Sequence, residues 1–289
     1  MKKIAYLLGA FLLLYACQKK EEQKKEDYYI GEISISTDDS FFSVTEALGE
    51  SYQYHYPDAN IKVIKEREDV GFLNLLNQKV DAIVMSRDLS EKEKSEYERI
   101  IDLPFQPAKF AGDAVLFVVP KNSEREQVSM DEIVKALHAD KKEIIFDGTN
   151  SSNLNFVAQV LNEKPSDLSF GIIKGNERLI EKLEKFPNRI GVIALNSISR
   201  IHSKKVKELR SKIKILPIEK DGELHTPTHA NIRNMSYPFT RIAYFLTREG
   251  HFGMANGFIR FSCTDIGQKV VEKEGLQKYY LYKRQVEMR

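Results

Sequence analysis

Three short stretches of this sequence carry the residue types that can hold a small oxyanion. Asp39-Ser40-Phe41 follows an alternating apolar run and opens a helical pattern. Ser86-Arg87 follows the apolar run Val80–Met85. Asn150-Ser151-Ser152 ends the small-residue segment Gly148–Ser152, ahead of another helical pattern. A desolvated anion can be held without bulk charge by hydroxyls, backbone N–H groups and helix N-termini aimed at one point. Ser40 supplies a hydroxyl and, with Phe41, backbone amides. Arg87 supplies a planar fork that grips two oxygens at once. Each residue also suits a structural role: Ser40, Ser151 and Ser152 as helix caps, and Arg87 as a surface residue or a partner for Asp88.

The elements around these turns repeat a simple order. Ile30–Ser36 alternates apolar and polar, as a half-buried strand does. Phe41–Tyr56 has helical spacing and stops at Pro57. Ile61–Ile64 reads as a strand, Val70–Asn77 as a short helix and Val80–Met85 as a buried parallel strand. Ser90 with Glu93, and Ser129 with Glu132, form capping boxes that open two further helices. Strands are expected at Ala114–Val119, Glu143–Asp147, Arg189–Ala194 and Tyr237–Thr247, with helices at 153–161, 176–186, 254–261 and 265–274. Alternating β and α predicts open, mostly parallel sheets flanked by helices. All three turns follow strands, where such sheets bind ligands.

Six phrases, in order, resemble the PstS-like phosphate-binding proteins of bacterial ABC importers, a type II-like periplasmic binding protein group. They are VDAIVMSRDL (80–89), AGDAVLFVVPKN (111–122), FDGTNSS (146–152), PNRIGVI (187–193), YPFTR (237–241) and FIRFSCTDIGQKVVEKEG (258–275). The resemblance implies an α/β fold of two lobes joined by two crossing strands that act as a hinge. It implies a discontinuous first lobe, 28–113 plus 236–289, and a second lobe, 114–235. Phosphate or a similar oxyanion would sit in the cleft, against Ser40, Phe41, Ser86, Arg87, Asn150, Ser151 and Ser152. The partner would be an ABC permease, and the chain a monomer without enzymatic activity. Two departures stand out. Where the family carries an Arg shortly before its lobe-two loop, this chain has Ile145-Phe146-Asp147. Where the family has a Ser-rich loop after the second strand, this chain has Glu66-Arg67-Glu68-Asp69. A phosphate binder profits from a carboxylate that accepts the guest's proton. Asp39, Asp69 and Asp88 are candidates, and the sequence does not choose among them.

The chain's start reads as an export signal. Lys2 and Lys3 precede the apolar run Ile4–Ala16, which is shorter than the ~20 residues of a spanning helix. Leu14-Tyr15-Ala16-Cys17 resembles a lipobox, with Cys17 as the lipidated residue, so residues 1–17 are signal and anchor. Residues 18–27 (QKKEEQKKED) are charged and lack apolar side chains, and read as a disordered tether. The expected location is the cell envelope, with membrane contact through the lipid alone. Dropping Lys2 and Lys3 from 44 Lys+Arg leaves 42 against 42 Asp+Glu, which gives no bulk field for nucleic acid. With Cys17 as anchor, Cys263 has no disulfide partner. His225 and His229 flank Pro227 in a loop pattern, so no metal site is expected, and nothing in the sequence calls for a cofactor. A phosphatase would need a metal cluster or an activated nucleophile, and neither pattern is present. The alternative to transport is a two-lobed envelope lipoprotein with a sensory or scaffolding role, or one that binds a different solute.

Overall fold

The computed structural model describes residues 27–282. The export run, Cys17 and tether residues 18–26 lie outside the described residues. In chain order the strands are β1 (Gly31–Thr37), β2 (Ala59–Lys65), β3 (Ala82–Met85), β4 (Ala108–Pro120), β5 (Val128–Ser129), β6 (Ile144–Phe146) and β7 (Gly171–Ile172). They continue with β8 (Ile190–Ala194), β9 (Ile213–Ile215), β10 (Ile218–Lys220), β11 (Glu223–His225), β12 (Thr240–Thr247) and β13 (Gln277–Lys278). The helices are α1 (Phe42–His55), α2 (Glu68–Leu76), α3 (Glu91–Ile101), α4 (Met130–His138) and α5 (Ser152–Val160). After them come α6 (Asn176–Leu183), α7 (Lys204–Ser211), α8 (His229–Arg233), α9 (Met254–Cys263) and α10 (Asp265–Lys273).

One long path of strands, β2-β1-β3-β12-β4-β8-β6-β7, runs through both lobes. At one end β1 pairs in parallel with β2 and β3. At the other end β6 pairs in parallel with β7 and β8. The antiparallel strands between them make the join. β12 is antiparallel to β3 and β4, and β4 is antiparallel to β8. β4 belongs to both lobes: its first part pairs with β12, and Val115–Val118 pair with β8. The return segment runs beside that crossover. Val115 N donates to Phe239 O at 3.0 Å, and the buried Tyr237 hydroxyl donates to Val115 O at 3.0 Å. Two segments therefore cross between the lobes side by side, in the arrangement of the two-lobed binding-protein fold.

The apolar runs explain where the core lies. All four residues of β3 are buried. Ala82 and Val84 face the main core that continues through both lobes, while Ile83 and Met85 face a second cluster with Phe72, Leu75, Tyr97 and Leu246. A strand covered on both faces must be apolar throughout, which is why its sequence does not alternate. Burying Ile83, Val84 and Met85 contributes about 1.5–3 kcal/mol each.

Candidate functional site

The first turn is built by its own acidic start. Asp38 caps a single 3-10 turn, Asp39–Phe41, and its Oδ1 accepts the Ser40 amide at 3.0 Å. This folds the chain sharply from β1 into α1. Ser40 is fully buried, and its hydroxyl has no hydrogen-bond partner. The other Asp38 oxygen is also buried without a partner. Burial pushes the Asp38 carboxyl above its ordinary range.

The second turn sits at the carboxyl end of β3. The Ser86 amide donates to Glu68 Oε1 at 2.9 Å, and its hydroxyl meets Ser152 Oγ at 2.8 Å. Ser86 follows β3 and Ser152 opens α5, so this contact joins the strand group of β1–β3 to the segment that follows β6. Arg87 has a different engagement from the one its sequence position suggested. Its guanidinium is held by Glu93 at 2.6 Å, Asp69 at 3.2 Å and Glu68 at 3.6 Å. Burial works against its charge, but these carboxylates outweigh burial and keep it protonated. Arg87 and Asp88 line a groove of about 1040 Å³ between α2–α3 and α5. Asp88 meets the second lobe through its backbone: its N–H donates to Gln159 Oε1 at 2.9 Å, and its carbonyl accepts from Gln159 Nε2 at 3.1 Å.

The third turn enters α5. Asn150 takes the left-handed conformation, with φ 54°, which Asn tolerates better than most residues. Ser151 is the N-cap of α5 and donates to Asp147 Oδ1 at 2.7 Å. Its hydroxyl therefore serves the structural role open to it. Ser152 is fully buried; its hydroxyl faces Ser86 and accepts from Arg241 Nη1 at 3.0 Å. The three turns do confront one another across the cleft.

Several residues that the turns alone did not reveal complete the arrangement. Arg67 reaches from the loop after β2 to the second lobe, where its Nη2 donates to Asp147 O at 2.9 Å. A Cβ on Gly148, whose φ is +154°, would lie 2.3 Å from that guanidinium. Asn176 bridges two carboxylates: its N and Nδ2 donate to Asp39 Oδ2 at 2.9 and 3.0 Å, and Nδ2 reaches Asp147 Oδ2 at 3.3 Å. Burial works against the Asp39 charge, yet the Asn176 donors and Lys65 hold its carboxyl below the ordinary range. Burial pushes the Asp147 carboxyl up to about 7, with Asp38 pushing the same way. Burial likewise raises Glu68 and Asp113. Asn155 ties α5 to the first lobe through Glu68 at 3.3 Å and Asp69 at 3.0 Å. Asp113 and Arg241 form a wholly buried ion pair on neighbouring strands. The sequence does carry a signal for that pair: Arg241 is the one charge of β12, Asp113 is set in the apolar run of β4 away from its other charge, Lys109, and the two signs are opposite. Among the described residues, no group of three His, Cys, Asp or Glu is placed to hold a metal ion.

The likeness to solved structures falls on the same architecture. A substrate-binding protein assigned to phosphate ABC transport in Clostridium perfringens, solved with phosphate bound, aligns with a TM-score of 0.70 at 20% identity. The alignment covers 86% of this chain and 100% of the other. A phosphate transport receptor from Vibrio cholerae aligns with a TM-score of 0.65 at 16% identity, over 86% of this chain and 100% of the other. A possible phosphate-binding protein from Planctomyces limnophilus gives 0.59 at 20% identity, over 86% and 93%. At such identities the likeness is one of fold. No curated protein matches the sequence. The sequence profile of the PBP superfamily domain matches residues 22–265. That span runs from before β1 to the start of α10 and takes in all three turns and both crossing segments, so the chain belongs to the PBP superfamily.

Proposed function

We propose that this protein captures phosphate or a similar oxyanion between its lobes and catalyses nothing. One observation carries the reading. Hydroxyls from opposite lobes, Ser86 and Ser152, meet at 2.8 Å, and the Ser40 hydroxyl of the first turn is fully buried with no partner. Such donors suit a guest that presents oxygens on several sides. The fold likeness to phosphate-binding proteins of ABC importers supports the same guest. The binding set is Ser40, the Phe41 amide, Ser86 and the Asn150–Ser152 turn, with Arg87 at the groove side. Of the carboxylates near the cleft, Asp38 suits the guest's proton. The Asp39 carboxylate is engaged by Lys65 and Asn176 and that of Asp69 by Arg87 and Asn155, while Asp88, bonded to Gln159 through its backbone, lines the groove beside Arg87. Asp38 Oδ2 alone of these is buried without a partner.

Residues 28–113 plus 236–289, of which 283–289 lie outside the described residues, make one lobe and 114–235 the other, and the lobes close about the paired crossing segments. The chain is exported, anchored through Cys17 and delivers its guest as a monomer to an ABC permease. Isothermal titration of the purified protein with phosphate, arsenate and sulfate tests the capture. Saturable heat is expected with phosphate and arsenate, and much weaker heat with sulfate. Asp38→Asn is expected to shrink the phosphate-over-sulfate preference by about tenfold or more. Absence of heat and of thermal stabilisation with all three anions removes the proposal.

A second reading rests on a separate observation. Direct contacts already join the lobes: Asn155 to Glu68, Arg67 to Asp147 and Asn176 to Asp39. Lobes joined this way could serve as a sensory or scaffolding unit without delivering a solute. A gene neighbourhood without a permease and ATPase would favour it.

A further inference from the structure

Arg241 is among the largest side chains that the protein buries completely. A guanidinium removed from water is costly unless its charge and its five N–H donors are all met. Here they are not. Nε donates to Asp113 Oδ2 at 2.8 Å and Nη1 to Ser152 Oγ at 3.0 Å. Nη2 lies 2.7 Å from the same Asp113 oxygen but outside hydrogen-bonding geometry, and it has no other partner. The second Asp113 oxygen is taken by the Asn196 amide at 3.1 Å.

These unmet donors lie among the three turns. The Arg241 Cζ sits 4.6 Å from the centre of the Phe41 ring, next to Ser40, whose hydroxyl also lacks a partner. Through Nη1 the guanidinium touches Ser152, and Ser152 meets Ser86 at 2.8 Å. Arg241 thus contacts the first and third turns directly and the second through one hydroxyl. A cluster with surplus donors and one imperfectly shared carboxylate calls for a guest that accepts several hydrogen bonds and carries negative charge.

We propose that Arg241, carried on the return strand β12 and outside all three turns, contacts the anion itself and sets the guest's charge. This inference rests on the capture reading above. Its fork would grip two guest oxygens, and the compact ammonium of lysine could not reproduce that grip. Arg241 pairs in register with Asp113 on β4, so the guest would bear on both strands where the lobes join.

Two measurements on the whole protein test it. In Arg241→Lys, phosphate affinity by calorimetry is expected to fall at least about tenfold, while the ligand-free melting temperature stays near that of the parent. In the unmodified protein, the guanidinium Nε–Hε resonance of Arg241, assigned by through-bond NMR, is expected to shift saturably with the same phosphate dependence as the heat. The second measurement stands even if the variant does not fold. Parent protein that takes up no phosphate sinks the capture reading itself. Parent protein that binds phosphate with an unmoved Arg241 resonance, or a folded Arg241→Lys that binds as tightly, overturns this inference alone.

Discussion

The interlobe cleft is crowded with carboxylates whose ordinary charge burial resists. Asp147 is the clearest case. Burial pushes its carboxyl up to about 7, against 3.8 in the unfolded chain, and Asp38 pushes in the same direction. The folded state therefore keeps a proton that the unfolded state has released. The resulting stability is fully present below 3.8 and is lost as pH rises through about 7. Melting temperature should fall between about pH 4 and about pH 7, and Asp147→Asn should flatten that fall, since an amide does not titrate. Thermal melts across that range check it; an equally steep fall in the variant would place the titration elsewhere. The sequence exposed this chemistry only in part. Ser86 and Ser152 stood out because a hydroxyl after a strand is a recognisable ligand position. Arg87 stood out for the same reason, yet its engagement with Glu68, Asp69 and Glu93 depends on where α2 and α3 bring those residues. Asp38 was not singled out in the sequence; it caps the turn after β1, and that its second oxygen is buried without a partner shows only in the folded chain.

Among the elements, the best-marked helices are those whose first turn is written in side chains. Ser90 and Ser129 each accept an N3 amide, and Glu93 and Glu132 each return a bond to the cap backbone. Both capping boxes are where the sequence puts them. Glu93 has a second duty, because it also holds Arg87. Ser90→Ala and Ser129→Ala should each cost about 1 kcal/mol, seen as a lower midpoint in urea unfolding. Ser90→Ala should in addition loosen Arg87, which Ser129→Ala leaves untouched. Strands were less evenly legible. Buried β3 and β8 announce themselves by continuous apolar runs. The two- and three-residue strands β5, β7 and β9–β11 are too short to display a period, and they exist because long-range neighbours supply their hydrogen bonds. The expected strand at Tyr237 begins later, at Thr240. Tyr237 and Phe239 instead bond to Val115 at the crossover, so they keep their apolar character without joining the ladder.

At the scale of the molecule, α5 acts as a clasp. Asn155 and Gln159, one helical turn apart, both face the first lobe, where they meet Glu68, Asp69 and the backbone of Asp88. Each such bond contributes about 1 kcal/mol, enough in sum to shift a balance between open and closed lobes. The double variant Asn155→Ala/Gln159→Ala should enlarge the ligand-free radius of gyration in small-angle scattering while leaving the melting transition single; an unchanged radius would remove the clasp. The chain's two-lobed plan was readable from the order of its phrases, since alternating β and α units fall into two blocks. The contacts that hold the blocks together were not, because they join residues far apart in the chain, 137 positions for Asp39 and Asn176 and 152 for Val44 and Asn196.

The strand order also governs the sequence of assembly. β12 is inserted between β3 and β4, although it is the last long strand to be made. A chain emerging from the ribosome can complete β4, β6 and β8 of the far sheet while β3 still lacks its neighbour on one side. Until residue 247 is available, that side of β3 stays open along its hydrogen-bonding edge, a ready template for unwanted pairing with another chain. The late strand thus acts as a keystone: a nascent or clipped polypeptide that lacks it would be adhesive in a way that the finished molecule is not.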